Sequence, residues 1–481
     1  MKFLKLAAIS AACISVLAGC GGGDSPDAGS SFDLSGAPGS LIATPTALTT
    51  LTPAAFTEAL EKALGVADAA NLFKITEVPK CDITFNYFQY GTVGGAGEKT
   101  SASGGIMVPG GTDPACTGPR PVLLYAHGTS TNKNLNMANP DGNREAALVA
   151  AMYAAQGYIV VAPNYAGYES SPLPYHPYLN LEQQAQDVVD ALTAARKGFA
   201  TINANANANS KLFVSGYSQG GFVSMAAQRK LQLAGTPVTA GAHHSGPYNL
   251  GRFGDAVYSG NVNLGATLFS PLLNTSFQRT YGNIYASPSE MYEATFATGI
   301  ETLLPSTTPL NTLLSTGKLP ATALFAADSL PKPAGFELFF GTPNLIKTSY
   351  RNAVLADAVA NPTAPQHPLR VAAYKNDLLA QNWTPAQPML LCGGNADPTV
   401  FFSANTSTAK AYFNGKGVPD QAVTVLDVDS APAGANDPFL MAKGGFAQAK
   451  AAAGSAALEK YHGELVPPFC HAAARGYFTQ F

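Results

Sequence analysis

The chain has 481 residues, of which 46% are hydrophobic and only 12% are charged, and its formal net charge is −3 at pH 7. This apolar content is sufficient for a large buried core. The small negative charge, without a basic stripe that could neutralise phosphates, excludes nucleic acid as an expected partner.

The first twenty residues have the features of an export signal. Residues 1–5 are basic, and residues 6–17 form an apolar run that is too short to span a bilayer. The run leads into Leu-Ala-Gly followed by Cys20, which resembles the bacterial lipoprotein signal. This resemblance implies that residues 1–19 are removed and that a lipidated Cys20 becomes the mature N-terminus and the only membrane attachment. A cleaved signal peptide with an incidental cysteine is the alternative.

The residues after Cys20 are typical of a tether. Gly21 stands where an aspartate would retain a bacterial lipoprotein at the inner membrane, so the resemblance implies the outer membrane or cell surface, on the periplasmic or extracellular face. Residues 21–50 are rich in Gly, Ser, Pro, Thr and Ala and contain few large apolar groups. Such a composition cannot offset the entropy of ordering, which predicts a flexible segment.

From residue 51 the chain alternates between apolar strand-like runs and helix-compatible segments. A short helix is predicted from the N-cap Thr52 and Pro53 to Leu64. The helix-compatible segments that follow are 144–156, 181–197 and 222–233. Eight strand-like runs are predicted at residues 83–90, 101–109, 121–126, 158–163, 211–215, 238–242, 388–392 and 422–426. This alternation predicts an α/β fold with a mostly parallel central sheet flanked by helices.

The alternation stops between the sixth and seventh strand-like runs. Residues 249–383 are irregular, with short helical pieces, many aromatic residues and no clear buried strand. We therefore predict one domain in which residues 51–248 and 384–481 form the core and residues 249–383 form a large, mainly helical insertion.

Residues 216–220 read Gly-Tyr-Ser-Gln-Gly, between a β-prone run and a helix-compatible segment. A strand–turn–helix context is what a nucleophile elbow requires, because the sharp turn exposes the serine hydroxyl. Gly216 and Gly220 leave room for this turn, and the amide of Gln219 faces the same space as Ser218. An idle serine in a glycine-rich turn is the alternative, but the context favours Ser218 as a nucleophile.

With this motif in place, the chain from about Phe73 to its C-terminus resembles the α/β-hydrolases, most closely the secretory-lipase-like esterases of bacteria and fungi. The insertion corresponds to that family only by its position, which is where a cap or lid lies. The resemblance implies a triad in the order serine, acid and histidine, each on a loop at the carboxyl end of a strand.

Two histidines follow the last predicted strand and are candidates for the base. His462 precedes a predicted terminal helix from Val466 to Thr479, where the family places its catalytic histidine. Gly463 beside it would let the backbone turn tightly. His471 would lie inside that helix and is the alternative base.

The acid is expected after the seventh strand. Residues 394–400 match the family's Gly-x-x-Asp-x-x-Val turn, which implies that Asp397 orients the histidine and stabilises its protonated form. Asp427 and Asp429 are the alternatives, because some members carry the acid on another strand.

Two backbone donors are expected to stabilise the tetrahedral oxyanion: the amide of Gln219 and that of Thr129. Thr129 follows His127 in a loop that resembles the family's His-Gly motif, and His127 is expected to brace that loop. Residues 164–168 resemble an Asp-Tyr-x-Gly segment, with asparagine in place of aspartate, and are interpreted as pocket wall.

No motif for a metal, a phosphate-binding loop or a dinucleotide is present, so the predicted chemistry needs neither metal nor cofactor. His243 and His244 are expected to pack rather than bind. The predicted function is a serine carboxylic-ester hydrolase that acts through an acyl-enzyme on Ser218. Its substrate is a small-molecule, lipid or polymer ester, and the apolar insertion favours apolar groups. Nothing in the sequence indicates an oligomeric state.

Two other functions are compatible with the elbow. Prolyl-oligopeptidase-type serine peptidases share it, but no repeat that would form their propeller is visible. A non-catalytic binding lipoprotein on a hydrolase scaffold would be expected to lack a triad member, and candidates for all three are present here.

Besides Cys20, the exported chain contains an even number of four cysteines, which suggests two disulfides with three possible connectivities. We predict the pairs Cys81–Cys116 and Cys392–Cys470. The second pair would tie the turn of the acid to the segment that carries the histidine.

Overall fold

The structure is a computed structural model that describes residues 36–202 and 208–481. The predicted export signal, including Cys20, and the first part of the predicted tether lie outside these residues. Within them, eleven strands are present: β1 (Thr46–Leu51), β2 (Asp82–Val93), β3 (Lys99–Gly110), β4 (Arg120–Ala126), β5 (Ile159–Pro163), β6 (Ala208–Tyr217), β7 (Ala240–His244), β8 (Phe325–Ala326), β9 (Phe340–Gly341), β10 (Met389–Gly393) and β11 (Val423–Asp427).

Nine of these strands form one sheet in the order β1-β2-β3-β5-β4-β6-β7-β10-β11. The pairs β1–β2, β2–β3 and β3–β5 are antiparallel, and every later pair in the sheet is parallel. Val122 to Ala126 in β4 are each at most 1% exposed, as expected of a strand covered on both faces. The prediction of a mostly parallel sheet is confirmed.

Strand β1 lies within the segment that was predicted to be tether. It pairs antiparallel with β2, with Thr46 opposite Tyr87 and Leu51 opposite Ile83. The end of the predicted tether at residue 50 is thus wrong, because residues 46–50 belong to the sheet. The error has a physical reason: an edge strand rich in threonine stays largely exposed, so its composition resembles that of a linker.

Sixteen helices accompany the sheet in the described part of the chain: α1 (Pro53–Leu64), α2 (Val66–Thr76), α3 (Arg144–Met152), α4 (Leu181–Ile202), α5 (Gln219–Leu233), α6 (Leu250–Tyr258), α7 (Ala266–Tyr281), α8 (Pro288–Met291), α9 (Ala294–Ala297), α10 (Leu310–Ser315), α11 (Thr348–Ala360), α12 (Pro368–Lys375), α13 (Thr408–Gly415), α14 (Leu440–Ala453), α15 (Ala457–Lys460) and α16 (Val466–Phe478). Helices α4 and α5 pack on each other and on the central strands. Helix α16 packs on α2, α3, β7 and β10.

The irregular segment lies between β7 and β10, as predicted. It contains helices α6 to α12 and the two-residue strands β8 and β9, which pair in parallel. We call residues 249–383 the insertion and the remaining described residues the core. No helix of residues 36–202 or 208–481 combines the length and apolar character needed to cross a membrane.

Both predicted disulfides are present, which confirms the pairing. Cys81 is bonded to Cys116, and Cys392, near the end of β10, is bonded to Cys470 in α16. The second bond joins the strand that leads to Asp397 to the helix that follows His462.

Candidate active site

Ser218 lies at the sharp turn between β6 and α5. Its backbone has φ 58° and ψ −121°, a conformation that is unfavourable for a residue with a side chain. A Cβ added to Gly216 would lie 2.2 Å from the carbonyl oxygen of Gly220, and one added to Gly220 would lie 1.9 Å from that of Ala126. Only glycine can occupy these two positions, so the sequence of the elbow and its geometry explain each other.

The side chains of Ser218, His462 and Asp397 form a hydrogen-bonded series. His462 Nε2 lies 2.8 Å from Ser218 Oγ, and His462 Nδ1 lies 2.7 Å from Asp397 Oδ2. The Asp397 side chain is 1% exposed and that of His462 is 12% exposed. The structure thus brings together the three predicted residues, with the imidazole between the hydroxyl and the carboxylate.

The turn after β10 fixes the orientation of Asp397. Its Oδ1 accepts hydrogen bonds from the amides of Thr399 at 2.8 Å and Val400 at 3.1 Å. Three donors therefore hold this carboxylate in one orientation. Its contact with Nδ1 favours the tautomer of His462 that carries its proton there and leaves Nε2 free to accept from the serine.

The alternative acids do not contact His462. Asp427 accepts hydrogen bonds from the backbone amide of Asn395 at 3.0 Å and from its side-chain amide at 2.7 Å. Asp429 accepts from Tyr461 Oη at 2.6 Å and forms an ion pair with Lys450. Both carboxylates therefore support the turn that carries Asp397.

The alternative base, His471, lies in the core below the elbow. Its Nε2 and Nδ1 are 3.3 Å and 3.2 Å from the hydroxyls of Tyr125 and Tyr153. It is fully buried, and burial lowers its pKa to about 3. Because both ring nitrogens face tyrosines, His471 does not reach Ser218.

His462 belongs to a π-helical turn, Tyr461–Leu465, that continues into α16. A free loop was expected at this place. Gly463 lies inside the turn, where an added Cβ would meet no atom within 4 Å. The expectation that Gly463 is needed for a tight turn is therefore wrong.

The loop after β4 leaves the amide of Thr129 unpaired within the described chain. The preceding amide, of Gly128, donates to Glu145 Oε1 at 2.9 Å and Oε2 at 3.1 Å. No described residue accepts from the amide of Thr129 or from that of Gln219. Both predicted oxyanion donors thus remain available.

Sequence reasoning missed Glu145, the carboxylate that holds this loop. It also accepts from Tyr125 Oη at 2.7 Å, and burial raises the pKa of its carboxyl. Its position in the first turn of a helix after a loop is common, so no sequence signal distinguishes it.

His127 braces the same loop. Its ring stacks on Tyr165 at a centroid distance of 4.0 Å, and its nitrogens lie 2.6 Å and 3.1 Å from the carbonyl oxygens of Gly128 and Asn164. Burial lowers its pKa to about 4, so the ring is neutral at pH 7 and donates to only one of them.

Residues 164–168 do not form pocket wall, which corrects the interpretation from sequence. Asn164 is fully buried, accepts from the amide of Met137 at 2.7 Å and donates to Ser103 at 2.9 Å. An asparagine can accept and donate at once, and here it joins two backbone segments behind the loop of His127.

A second residue that sequence reasoning missed is His176. Its Nδ1 donates to the carbonyl oxygen of Ala166 at 2.9 Å, and its Nε2 lies 2.6 Å from Gln219 Nε2. Burial lowers its pKa to about 3, so Nε2 accepts from the Gln219 amide. This contact fixes the residue that follows the candidate nucleophile.

His243 and His244 pack inside the core and do not line the pocket. His243 contacts Ser224 Oγ at 2.7 Å and Gln228 Oε1 at 2.8 Å, and His244 lies 3.3 Å from Ser215 Oγ. His244 also lies near Cys392 and Cys470. These three are the one group in the described part of the chain whose side chains are of metal-binding types and close enough to share an ion. Both of these sulfurs are used in the disulfide.

A cavity extends from Ser218 and Gln219 into the insertion. Three aromatic residues of the insertion line this cavity: Phe253, Tyr258 and Phe269. Phe339 and Phe340 do not line the cavity and are instead buried in the main hydrophobic cluster. Most of the remaining lining is also apolar, including Leu250, Val257, Leu273, Val354, Leu369 and Val400.

Comparisons with known proteins agree with this architecture. The sequence pattern of the secretory lipase family matches residues 143–241. No curated protein matches the chain. A ligand-bound form of the rice cell wall degrading esterase LipA from Xanthomonas oryzae is 28% identical, with a TM-score of 0.67 over 92% of this chain and 98% of that one.

Two further solved structures are similar. A variant of the same esterase is 28% identical with a TM-score of 0.69, and covers 92% of this chain and 99% of its own. A proposed hydrolase from Legionella pneumophila is 20% identical, with a TM-score of 0.67 over 92% of this chain and 97% of its own, and shows the fold alone.

Proposed function

We propose that this secretory-lipase-like α/β-hydrolase is a carboxylic ester hydrolase that cleaves esters in two steps through an acyl-enzyme on Ser218. One observation carries the proposal: the imidazole of His462 bridges Ser218 Oγ at 2.8 Å and Asp397 Oδ2 at 2.7 Å. A serine hydroxyl is a weak nucleophile until a base accepts its proton, and this geometry supplies that base.

In the first step, Ser218 Oγ attacks the ester carbonyl while His462 Nε2 takes the hydroxyl proton. The tetrahedral intermediate then collapses, the bond to the alcohol oxygen breaks, and Nε2–H protonates the departing alcohol. Asp397 stabilises the imidazolium that exists between these events. In the second step, water attacks the acyl carbonyl while His462 Nε2 takes a proton from it. The bond between the acyl carbon and Ser218 Oγ then breaks, Nε2–H returns the proton to the serine, and the carboxylic acid is released.

The developing oxyanion is stabilised by the backbone amides of Gln219 and Thr129. Neither amide has an acceptor in the described chain, so neither must break a hydrogen bond as charge develops. A pre-oriented donor of this kind contributes about 10²- to 10³-fold to the rate. The contact of Gly128 with Glu145 holds the loop that presents Thr129.

The cavity supports a preference for esters with an apolar acyl or alcohol part. Its wall from Ser218 into the insertion is mostly aliphatic and aromatic. Burial of such a chain contributes about 0.8 kcal/mol per methylene group. Because the solved esterase with 28% identity is one that degrades rice cell wall, a polymeric ester also belongs among the substrates to be tested.

We further propose that the protein is exported and attached to the outer membrane or cell surface by a lipid on Cys20. Two disulfides are typical of a protein that folds in an oxidising compartment. Replacement Cys20→Ser should move the protein from the membrane fraction to the soluble fraction. An unmodified Cys20 in the purified wild type, found by mass spectrometry, would refute the anchor.

The substrate proposal is tested with p-nitrophenyl esters of increasing acyl length, measured beside aminoacyl-proline anilides. The wild type should hydrolyse the esters and leave the anilides intact, with kcat/KM rising as the acyl chain lengthens until the cavity is filled. Faster cleavage of the anilides would assign the chain to the peptidases. Ser218→Ala is the matched control for background hydrolysis.

A further inference from the structure

The turn that carries His462 leaves a backbone carbonyl without a partner of its own. In the π-helical turn the amide of Val466 donates to the carbonyl oxygen of Tyr461, five residues earlier. In the same pattern the carbonyl of His462 would pair with residue 467, which is a proline and has no N–H. This oxygen therefore needs a donor from elsewhere in the chain.

Tyr217 supplies that donor. Its hydroxyl donates to the carbonyl oxygen of His462 at 2.5 Å, and its ring lies against the imidazole with centroids 5.1 Å apart. Tyr217 is the residue directly before Ser218 in the elbow, and it is 5% exposed. The residue next to the nucleophile thus binds the backbone of the residue that activates it.

Tyr461 makes a corresponding link to the acid. It directly precedes His462, and its hydroxyl accepts from the amide of Ala396 at 3.2 Å and donates to Asp429 Oδ2 at 2.6 Å. Ala396 directly precedes Asp397. A Cβ at Gly394 would lie 2.4 Å from the hydroxyl oxygen of Tyr461, so the glycine in the acid turn gives this hydroxyl its space.

Both hydroxyls are suited to a fixed role. Burial raises the pKa of Tyr217, and the nearby Asp397 acts in the same direction. Burial and Asp429 raise the pKa of Tyr461. Each hydroxyl therefore keeps its proton and its hydrogen bond over the whole pH range in which esters are assayed.

We propose that Tyr217 and Tyr461 are positioning residues that hold His462 in line between Ser218 and Asp397. The hydroxyl of Tyr217 binds the backbone of His462, and the hydroxyl of Tyr461 binds the backbone of Ala396, next to Asp397. Neither hydroxyl contacts a reacting atom. The inference rests on the proposed function of that triad. It predicts that removing either hydroxyl lowers the rate of the chemical step, because a misplacement of about 1 Å in a reacting group costs about 10²-fold.

The test uses Tyr217→Phe and Tyr461→Phe, which keep the ring and remove only the hydroxyl. Tyr350→Phe is the matched control. Tyr350 in α11 is also buried and also donates to a backbone carbonyl, that of Ile284 at 2.8 Å, but it does not line the cavity. All three variants are assayed well below the temperature at which each unfolds.

We expect kcat for p-nitrophenyl butyrate to fall about 10- to 100-fold in the two site variants, with KM within about twofold of the wild type. The rate of inactivation by a fluorophosphonate, which reports attack by Ser218 directly, should fall by the same factor. Tyr350→Phe should match the site variants in its loss of thermal stability and keep both rates. A uniform small loss of stability without a selective loss of kcat would show that the tyrosines are only structural.

The outcome separates this inference from the proposed function. If Ser218→Ala and His462→Ala are inactive while Tyr217→Phe and Tyr461→Phe retain wild-type kcat, the triad stands and the positioning role is wrong. If Ser218→Ala retains turnover, the proposed function itself fails.

Discussion

The core and the insertion contribute differently to the site. The core supplies Ser218, Asp397 and His462, each at the carboxyl end of a strand or directly before α16. The insertion supplies much of the cavity wall, including Phe253 and Phe269. The proposed reacting groups thus lie in the region whose sequence patterns are most regular, whereas much of the proposed substrate wall lies in the region whose patterns are least regular. This difference implies that rate and substrate preference can be changed separately.

The two regions also treat buried charge differently. Five of the seven histidines lie fully buried in the core, where burial lowers their pKa values and keeps the rings neutral: His127, His176, His243, His244 and His471. The insertion instead buries Arg370, 3% exposed, between the carboxylates of Asp255 and Asp357. Protonation of histidine rings should therefore destabilise mainly the core, whereas loss of a buried ion pair should destabilise mainly the insertion.

The largest effect is expected from the choice between the two core histidines. His462→Ala should reduce kcat by about 10⁴-fold or more, because it removes the one base that contacts Ser218 among the described residues. His471→Ala should leave kcat within a fewfold and lower the free energy of unfolding by about 2–4 kcal/mol, because it opens a cavity between two tyrosines. Steady-state kinetics and urea unfolding measure the two quantities. An inactive but folded His471→Ala enzyme beside an active His462→Ala enzyme would exchange the two roles.

In the insertion, the largest effect should come from Arg370. Arg370→Ala leaves two partly buried carboxylates, 14% and 9% exposed, without the cation between them and should cost about 3 kcal/mol in the free energy of unfolding. Arg279→Ala is the matched control, because Arg279 is 44% exposed in its pair with Glu301 and should contribute at most about 1 kcal/mol. Equal losses of unfolding free energy in the two variants would show that the ion pairs of Arg370 stabilise the protein no more than an exposed pair does.

Acid should destabilise the core before the ion pairs of the insertion. A histidine with a lowered folded pKa gives stability that is present above its unfolded pKa, about 6.5, and is lost as the pH falls towards the folded value. For a folded pKa of about 3 to 4, this loss amounts to about 2 kcal/mol per ring at pH 5.

Two core carboxyls act in the opposite sense. Burial raises the pKa of Asp187 to about 6 and that of Asp190 to about 7, so stability from them is gained as the pH falls. They offset part of the loss, and we expect the free energy of unfolding to fall by about 4–6 kcal/mol between pH 7 and pH 5.

The ion pair of Asp357 with Arg370 in the insertion should respond only at lower pH. Although burial acts to raise it, hydrogen bonds from the backbone and from Arg370 lower the pKa of Asp357, so its stabilisation is lost only below about 3.8. Urea unfolding across this pH range measures the change. A free energy of unfolding that is flat between pH 7 and pH 5 would contradict neutral buried histidines in the core.

The same comparison explains what could be predicted from the sequence. Buried parallel strands have continuous apolar runs, so the core strands were predicted correctly, as were the two disulfide pairs. The elbow has glycines that no other residue can replace, and Ser218 lies at its turn; the role of Ser218 as nucleophile stays a prediction. Asp397 and His462 were placed from a family pattern and from chain order. The structure places both in one hydrogen-bonded series with Ser218.

What was missed depends on contacts between distant residues. Strand β1 pairs with residues about 35 positions later, and its threonines alone resemble a linker. Glu145, His176 and Tyr217 act through partners from other elements, which no local pattern reveals. The position of the insertion could be predicted, but its internal structure could not, because its short helices and strands show no hydrophobic periodicity that would indicate which elements pack together.

The most direct test of the proposed chemistry is to identify the residue that becomes acylated. The wild type is treated with a fluorophosphonate, digested and analysed by mass spectrometry, beside Ser218→Ala and His462→Ala. We predict one adduct, on the peptide that contains Ser218, which is absent from Ser218→Ala and forms about 10³-fold or more slowly in His462→Ala. An adduct on any other residue of the wild type, or one that persists in Ser218→Ala together with ester turnover, would contradict Ser218 as the nucleophile.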